Sequence, residues 1–253
     1  MTQQVTPART ARLGRAIGTD PCAVGGVVLL LPRGVEVSDR RPGPLAAAAL
    51  HVWGRALARA GRAQGLVAHV VHYRYRGWDG ARVRLAQDAT WAADEVVRRY
   101  GDVPLCLAGV GMGGRAALRA GGHPAVSAVV ALAPWLPEDG TAATSEPVRQ
   151  LHGRRVMIVH GTNDERTDPE LSFRLAARAK KANRDVCRFE VHADGHGLRQ
   201  YRSEVLALTA DFVRGALFGT PFSRPVQDAL AAPPPLGLRM PLASGFAGSS
   251  ARP

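Results

Sequence analysis

The sequence predicts an α/β protein: a mostly parallel sheet of at least six strands with helices on both faces, in three layers. Three observations carry this. Short, continuous apolar runs such as Ala23 to Leu31 recur along the chain, as strands buried on both faces require. Between them lie alanine- and leucine-rich segments with apolar residues at helical spacing. The two kinds alternate, and alternation of that sort implies parallel strands joined by helical crossovers.

Taken in order, residues 1–22 have little periodicity and read as a lead-in or an irregular edge strand. The apolar run 23–31 is the first buried strand and stops at Pro32-Arg33-Gly34. Residues 45–63 read as a helix with Leu50, Trp53 and Leu57 on one face, and residues 66–73 as the next strand. A loop with Tyr75, Gly77, Trp78 and Gly80 leads into a helix over 81–100. Its apolar face is Leu85, Ala89, Ala92 and Val96. Leu105 to Ala108 is a strand, followed by Gly109, Gly111, Gly113 and Gly114 and then by a helix.

Gly121 to Pro124 ends that helix, 125–132 is a strand, and 138–150 reads as polar loop. The strand 155–160 runs into His160-Gly161-Thr162-Asn163-Asp164. Residues 169–182 form a helix with Pro169 in its first turn. The last strand, 185–191, precedes His192-Ala193-Asp194-Gly195-His196-Gly197. A closing helix then carries Tyr201, Val205, Leu208 and Phe212 on one face. The sequence divides into a lead-in (1–22), one α/β domain (23–218) and a proline-rich tail (219–253), either disordered or draped over the body.

Composition narrows the function. At 253 residues the chain can bury a substantial core. No apolar run approaches a membrane span, and the N-terminus lacks a signal-peptide core, so a cytoplasmic location and no membrane partner are expected. Cys22, Cys106 and Cys187 are far apart, with no disulfide or metal-ligand spacing. No metal and no cofactor are expected. The net charge of +12 comes from dispersed arginines, since lysine occurs only at 180 and 181. Without a basic block or interleaved aromatics, that charge points to no nucleic-acid partner. The expected ligand is a small molecule, and the oligomeric state is left open.

Strand, glycine turn, helix is the setting of a nucleophile elbow, G-x-S-x-G, and Gly109 and Gly113 occupy its two glycine positions. The tip, where serine would stand, is Gly111. Asp164 and His196 follow the elbow at later strand ends, in the order nucleophile position, acid, base. A base imidazole needs a carboxylate on one nitrogen so that the other faces the reactant in the right tautomer. Asp168 and Asp194 are alternative acids. Each of these residues also has a plain structural reading, as a turn-forming Asp or a loop histidine.

Together the Gly-x-x-Met-Gly-Gly, His-Gly-x-x-Asp and Gly-His-Gly segments resemble the α/β-hydrolase superfamily over roughly residues 23–217, and most of all its small bacterial dienelactone-hydrolase-like members. The resemblance implies an α/β-hydrolase fold, Asp164 as triad acid and His196 as general base. It also implies an oxyanion hole from the amide of Met112 and one near Gly34 or Val35. Glycine at 111 keeps the turn and deletes the hydroxyl, so acyl-enzyme chemistry at that position is ruled out. Ser127 and Ser172 fall inside a strand and a helix, and Cys106 inside a buried strand. Trp78 and Trp135 sit on loops expected to line the crevice. Two functions lead: a non-covalent hydrolase or lyase-type enzyme based on His196–Asp164, acting on a small carbonyl or ester-like substrate, or an inactive pseudo-hydrolase that binds a ligand or partner; a third and weaker reading, an interaction module built on the arginine-rich surface and proline-rich tail, predicts a salt-sensitive partner.

Overall fold

The computed structural model describes residues 9–18, 24–138, 146–242 and 244–246. Cys22 lies outside them, as does part of the lead-in, of the 138–150 loop and of the C-terminal residues.

Six long strands form the body of the sheet: β3 (Gly26–Leu31), β4 (Leu66–His72), β5 (Leu105–Val110), β6 (Val126–Leu132), β7 (Arg155–Gly161) and β8 (Val186–Val191). They are mutually parallel and ordered β4-β3-β5-β6-β7-β8. The short strands β1 (Arg12–Leu13) and β2 (Ile17–Gly18) pair antiparallel with β4, and β9 (Met240–Pro241) extends the far edge parallel to β8. This is the mostly parallel sheet the alternation predicts.

Alternate residues of each strand feed two separate cores. Val27, Leu29 and Leu31 of β3, with Leu105 and Leu107 of β5, face α2 (Arg84–Tyr100), α3 (Met112–Ala120) and α4 (Pro169–Ala182). Val28 and Leu30, with Cys106 and Ala108, face α1 (Pro44–Ala60), α5 (Arg202–Phe218) and α6 (Arg224–Ala231). The predicted stripe on α2, Leu85, Ala89, Ala92 and Val96, is wholly excluded from water, as are Val205, Leu208 and Phe212 of α5. Burying one such aliphatic side chain is worth about 1.5–3 kcal/mol. These stripes hold the helices against the sheet and fix its C-terminal ends as one rim.

The residues after 219 do more than a tail would. Val226 and Ala229 of α6 and, later, Leu242 bury in the second core, and Leu238 in the first. Leu242 N–H donates to Glu190 O at 2.9 Å, which closes the β8 edge. Prolines at 233–235 punctuate this segment without preventing its docking.

Candidate active site

β5 stops at Val110 and α3 begins at Met112, so a single residue makes the turn. Gly111 makes it with φ +57° and ψ −121°, a conformation that costs a side-chain-bearing residue roughly 1–3 kcal/mol and glycine little. The flanking glycines are required by contact. A Cβ on Gly109 would strike the backbone of Gly113, and one on Gly113 the carbonyls of Leu31 and Pro32. The turn is pinned on both sides: Gly111 N–H donates to Leu132 O at 2.9 Å, and its carbonyl accepts from Trp135 N–H at 3.1 Å.

Asp164 and His196 come together at this point, from the loops after β7 and β8. His196 Nδ1 lies 2.9 Å from Asp164 Oδ2. A Cβ on Gly111 would stand 3.7 Å from His196 Nε2, an ordinary van der Waals distance. The unpaired nitrogen of the imidazole therefore faces the seat that a serine hydroxyl would occupy.

Asp164 is fixed before it meets His196. Its Oδ1 accepts the amides of Arg166 (2.9 Å) and Thr167 (3.1 Å), and its Oδ2 accepts the Thr167 hydroxyl at 2.6 Å. Burial alone would raise its pKa. Hydrogen bonds from His160, Thr167, the Arg166 amide and His196 outweigh that and hold the carboxyl well below the usual range. His196 shifts the other way from a typical ion-paired histidine. Burial lowers its pKa, Asp164 opposes the shift, and Arg33 and Arg166 add to it. The result is a neutral imidazole at physiological pH.

The crevice over this pair has a volume of about 470 Å³ and is lined by Arg33, Gly34, Val35, Glu36, Val37, Gly111, Met112, Trp135, Arg166, Thr167 and His196. Met112 opens α3, where backbone N–H groups and the helix dipole favour negative charge. Its predicted partners separate. Val35 N–H donates to Arg76 O at 2.9 Å, which removes it as an oxyanion donor and leaves Gly34 of that pair. Trp78 is also corrected: it is 3 % exposed, the Arg115 guanidinium lies over its ring at 4.1 Å, and it is not among the residues that line the crevice. Arg115 also lies over the Trp135 ring at 5.1 Å and pairs with buried Glu146 at 2.7 Å. The alternative acids are spoken for. Asp168 caps α4 through Glu170 N–H, and Asp194 accepts the amides of Gly195, Arg199 and Tyr201.

No substitute nucleophile stands at the seat among the described residues. Burial pushes the Cys106 thiol far up and the Cys187 thiol up to about 12. Ser172 is wholly buried in α4, and Ser127 belongs to β6. Thr167 contributes a hydroxyl to the lining, but its proton is committed to Asp164.

Arg33, which sequence reasoning passed over, crosses the crevice. Its Cγ lies 3.7 Å from the Cβ position of Gly111, and its Nη2 donates to His196 O at 3.0 Å. A charged residue just after a buried strand is an ordinary surface feature in sequence, so nothing there marked it.

A model of the prolyl oligopeptidase family matches residues 132–219, the stretch that holds Asp164 and His196 but not Gly111. No curated protein matches the chain. Among solved structures, the chain is similar to a monoacylglycerol lipase from Paleococcus ferrophilus (15 % identity, TM-score 0.59, covering 80 % of this chain and 98 % of that one). It is also similar to a lidless α/β serine hydrolase from Xanthomonas campestris (16 %, TM-score 0.58, 83 % and 90 %) and to an esterase from Pyrococcus furiosus (13 %, TM-score 0.58, 77 % and 83 %). The fold is that of the α/β-hydrolases. Among the described residues no helix is long and apolar enough to cross a membrane, and no group of His, Cys, Asp and Glu could hold a metal ion.

Proposed function

We propose that the chain is a non-covalent enzyme of the α/β-hydrolase fold that acts on a small carbonyl or ester-like substrate through His196 as general base. The observation that carries this reading is the intact pair at 2.9 Å with its free nitrogen over an empty serine position. A scaffold without turnover has no need of an imidazole so held. In the hydrolytic form, His196 Nε2 takes a proton from water and the water oxygen attacks the carbonyl carbon. The carbonyl oxygen becomes anionic against the Met112 amide, with Gly34 as the second donor. The tetrahedral intermediate then collapses, and the imidazolium returns its proton to the departing oxygen. A lyase-type substrate would instead lose a carbon-bound proton to the same nitrogen. Exposed Val35 and Val37 give the rim an apolar ledge for the rest of the substrate.

One observation favours the second reading, a ligand- or partner-binding pseudo-hydrolase. Arg33 lies across the seat and narrows the approach to Gly111. The two readings part in one experiment: short esters and activated carbonyl compounds incubated with the purified protein, followed by product analysis and intact-protein mass spectrometry. The enzyme reading expects multiple turnovers with no mass adduct. Saturable binding of the same compounds without product would establish the binding protein instead.

A further inference from the structure

A second histidine stands behind the first. His160, at the C-terminal end of β7, has no exposure to solvent, and its Nε2 lies 3.3 Å from Asp164 Oδ2, the oxygen that His196 also uses. The other atoms near that nitrogen are the carbonyl and hydroxyl oxygens of Thr167, each at 3.2 Å. All three are acceptors toward it, because the single Thr167 hydroxyl proton points at Asp164, 2.6 Å away. A bare lone pair on Nε2 would face only oxygen lone pairs in a site closed to solvent. That nitrogen must therefore carry a proton.

The opposite side of the ring allows it. His160 Nδ1 is 2.8 Å from Ser172 Oγ, which also accepts Arg188 Nε–H at 3.0 Å. Ser172 has one proton and two candidate acceptors, His160 Nδ1 and Pro169 O, the latter at 2.8 Å. Arg188 Nη2 also donates to Pro169 O at 3.1 Å, so that carbonyl keeps a donor when the serine hydroxyl turns to Nδ1. Arg188 is itself wholly buried and held by Glu190 (2.6 Å) and by the carbonyl of Leu238 (3.0 Å) in the C-terminal segment.

We propose that His160 is a positioning residue for the His196–Asp164 pair: the oxygens around its Nε2 keep that nitrogen protonated, and its proton is shared between Thr167 and Asp164 Oδ2. The inference rests on the reading of His196–Asp164 as the base pair of the site, and it concerns how that pair is held. Three donors on one carboxylate oxygen, from Thr167, His196 and His160, keep the carboxylate ionised and prevent it from rotating. They also divide its acceptor strength, so that His196 is held in orientation without being made strongly basic. The charged groups that face the two rings are Asp164 for both, with Arg33 and Arg166 beside His196 and Arg188 beyond Ser172.

The test needs no substrate. On the full chain labelled with ¹⁵N-histidine, long-range proton–nitrogen correlation spectra report the protonation of each ring nitrogen and the titration midpoint of His196. The expected result is a protonated Nε2 on His160 across the range where the protein is folded; an unprotonated Nε2 overturns the proposal without any variant. Removing the donor with His160→Phe should move the His196 midpoint up by about half a pH unit, since Asp164 Oδ2 then accepts more fully from His196. His160→Gln, whose amide can donate toward the same oxygen, should bring it back. A midpoint unchanged in both variants, with only thermal stability lowered, would make His160 a packing residue and refute the proposal. Because these readouts are independent of turnover, a protein that catalyses nothing would sink the enzyme reading and leave this result standing.

Discussion

Restoring the missing hydroxyl is the perturbation whose outcome the geometry fixes most tightly. In Gly111→Ser the new Cβ meets Arg33 Cγ at 3.7 Å and His196 Nε2 and Cε1 at 3.7 and 3.8 Å, all ordinary contacts. The seat therefore accepts a serine without displacing its neighbours. From that Cβ a hydroxyl oxygen can come within hydrogen-bond reach of His196 Nε2, the arrangement an activated nucleophile requires. The cost is conformational: a side chain at φ +57°, ψ −121° is strained by roughly 1–3 kcal/mol. At this chain length each kcal/mol lowers Tm by about 2–4 °C. The variant should thus be folded, measurably less stable, and newly able to form an acyl-enzyme. The assay pairs thermal denaturation with burst kinetics on short activated esters and with labelling by a fluorophosphonate. A folded Gly111→Ser protein that shows neither burst nor label would refute the claim that base and oxyanion donors are in register with the elbow.

Other expectations follow from the same contacts. His196 is depressed below the ordinary histidine value, so a reaction that needs the neutral base should persist as pH falls below about 6.5 and fail only at lower pH. Arg33→Gln removes one positive neighbour, and the acid limb of the pH–rate profile should move to higher pH; an unmoved or lowered limb would contradict this. Asp164→Asn should leave the ring in the wrong tautomer and reduce turnover by about 10⁴, read from kcat/KM. The depressed Asp164 carboxyl adds stability above its ordinary value near pH 3.8 that is lost as pH falls through its lower folded value, so acid unfolding of Asp164→Asn should show a weaker pH dependence in that range. Glu146→Ala leaves Arg115 buried between two indoles without its carboxylate and should cost about 3 kcal/mol in denaturant titration; a loss under about 0.5 kcal/mol would mean that the ion pair is not structural.

The parts of this molecule legible in sequence are those in which one residue pattern has one physical outcome. Ala23 to Leu31 could be little but a strand buried on both sides, and β3 sends its odd and even residues into different cores. The tight turn between β5 and α3 was legible because Gly109 and Gly113 are required by backbone contact rather than by preference. An irregular edge strand within 1–22 was one of two readings, but its bounds and the strand Met240–Pro241 were not legible, since such two-residue stretches carry no periodicity and their pairing partners are chosen by tertiary contact. α6 was hidden by the prolines that follow it at 233–235, although Val226 and Ala229 are fully buried.

At the site, Asp164 and His196 were readable from their position at strand ends. Val35 and Trp78 misled for separate reasons. Which amide of a loop stays free depends on a hydrogen bond to Arg76 that no local pattern encodes. A tryptophan on a predicted loop gives no hint of an arginine waiting beneath it. His160 was visible as part of His-Gly-x-x-Asp, but the role proposed for it depends on contacts with Thr167 and Ser172 that no spacing encodes.

The central claim is that His196 is the working base of a site without a nucleophile. Its most direct test compares the protein as it stands with His196→Ala on whichever short ester or carbonyl compound it turns over best. The account predicts steady turnover without a burst in the first and a loss of at least about 10² in kcat/KM in the second, with Tm little changed. Equal turnover by the two proteins, or a covalent acyl adduct on the unaltered chain, would contradict it.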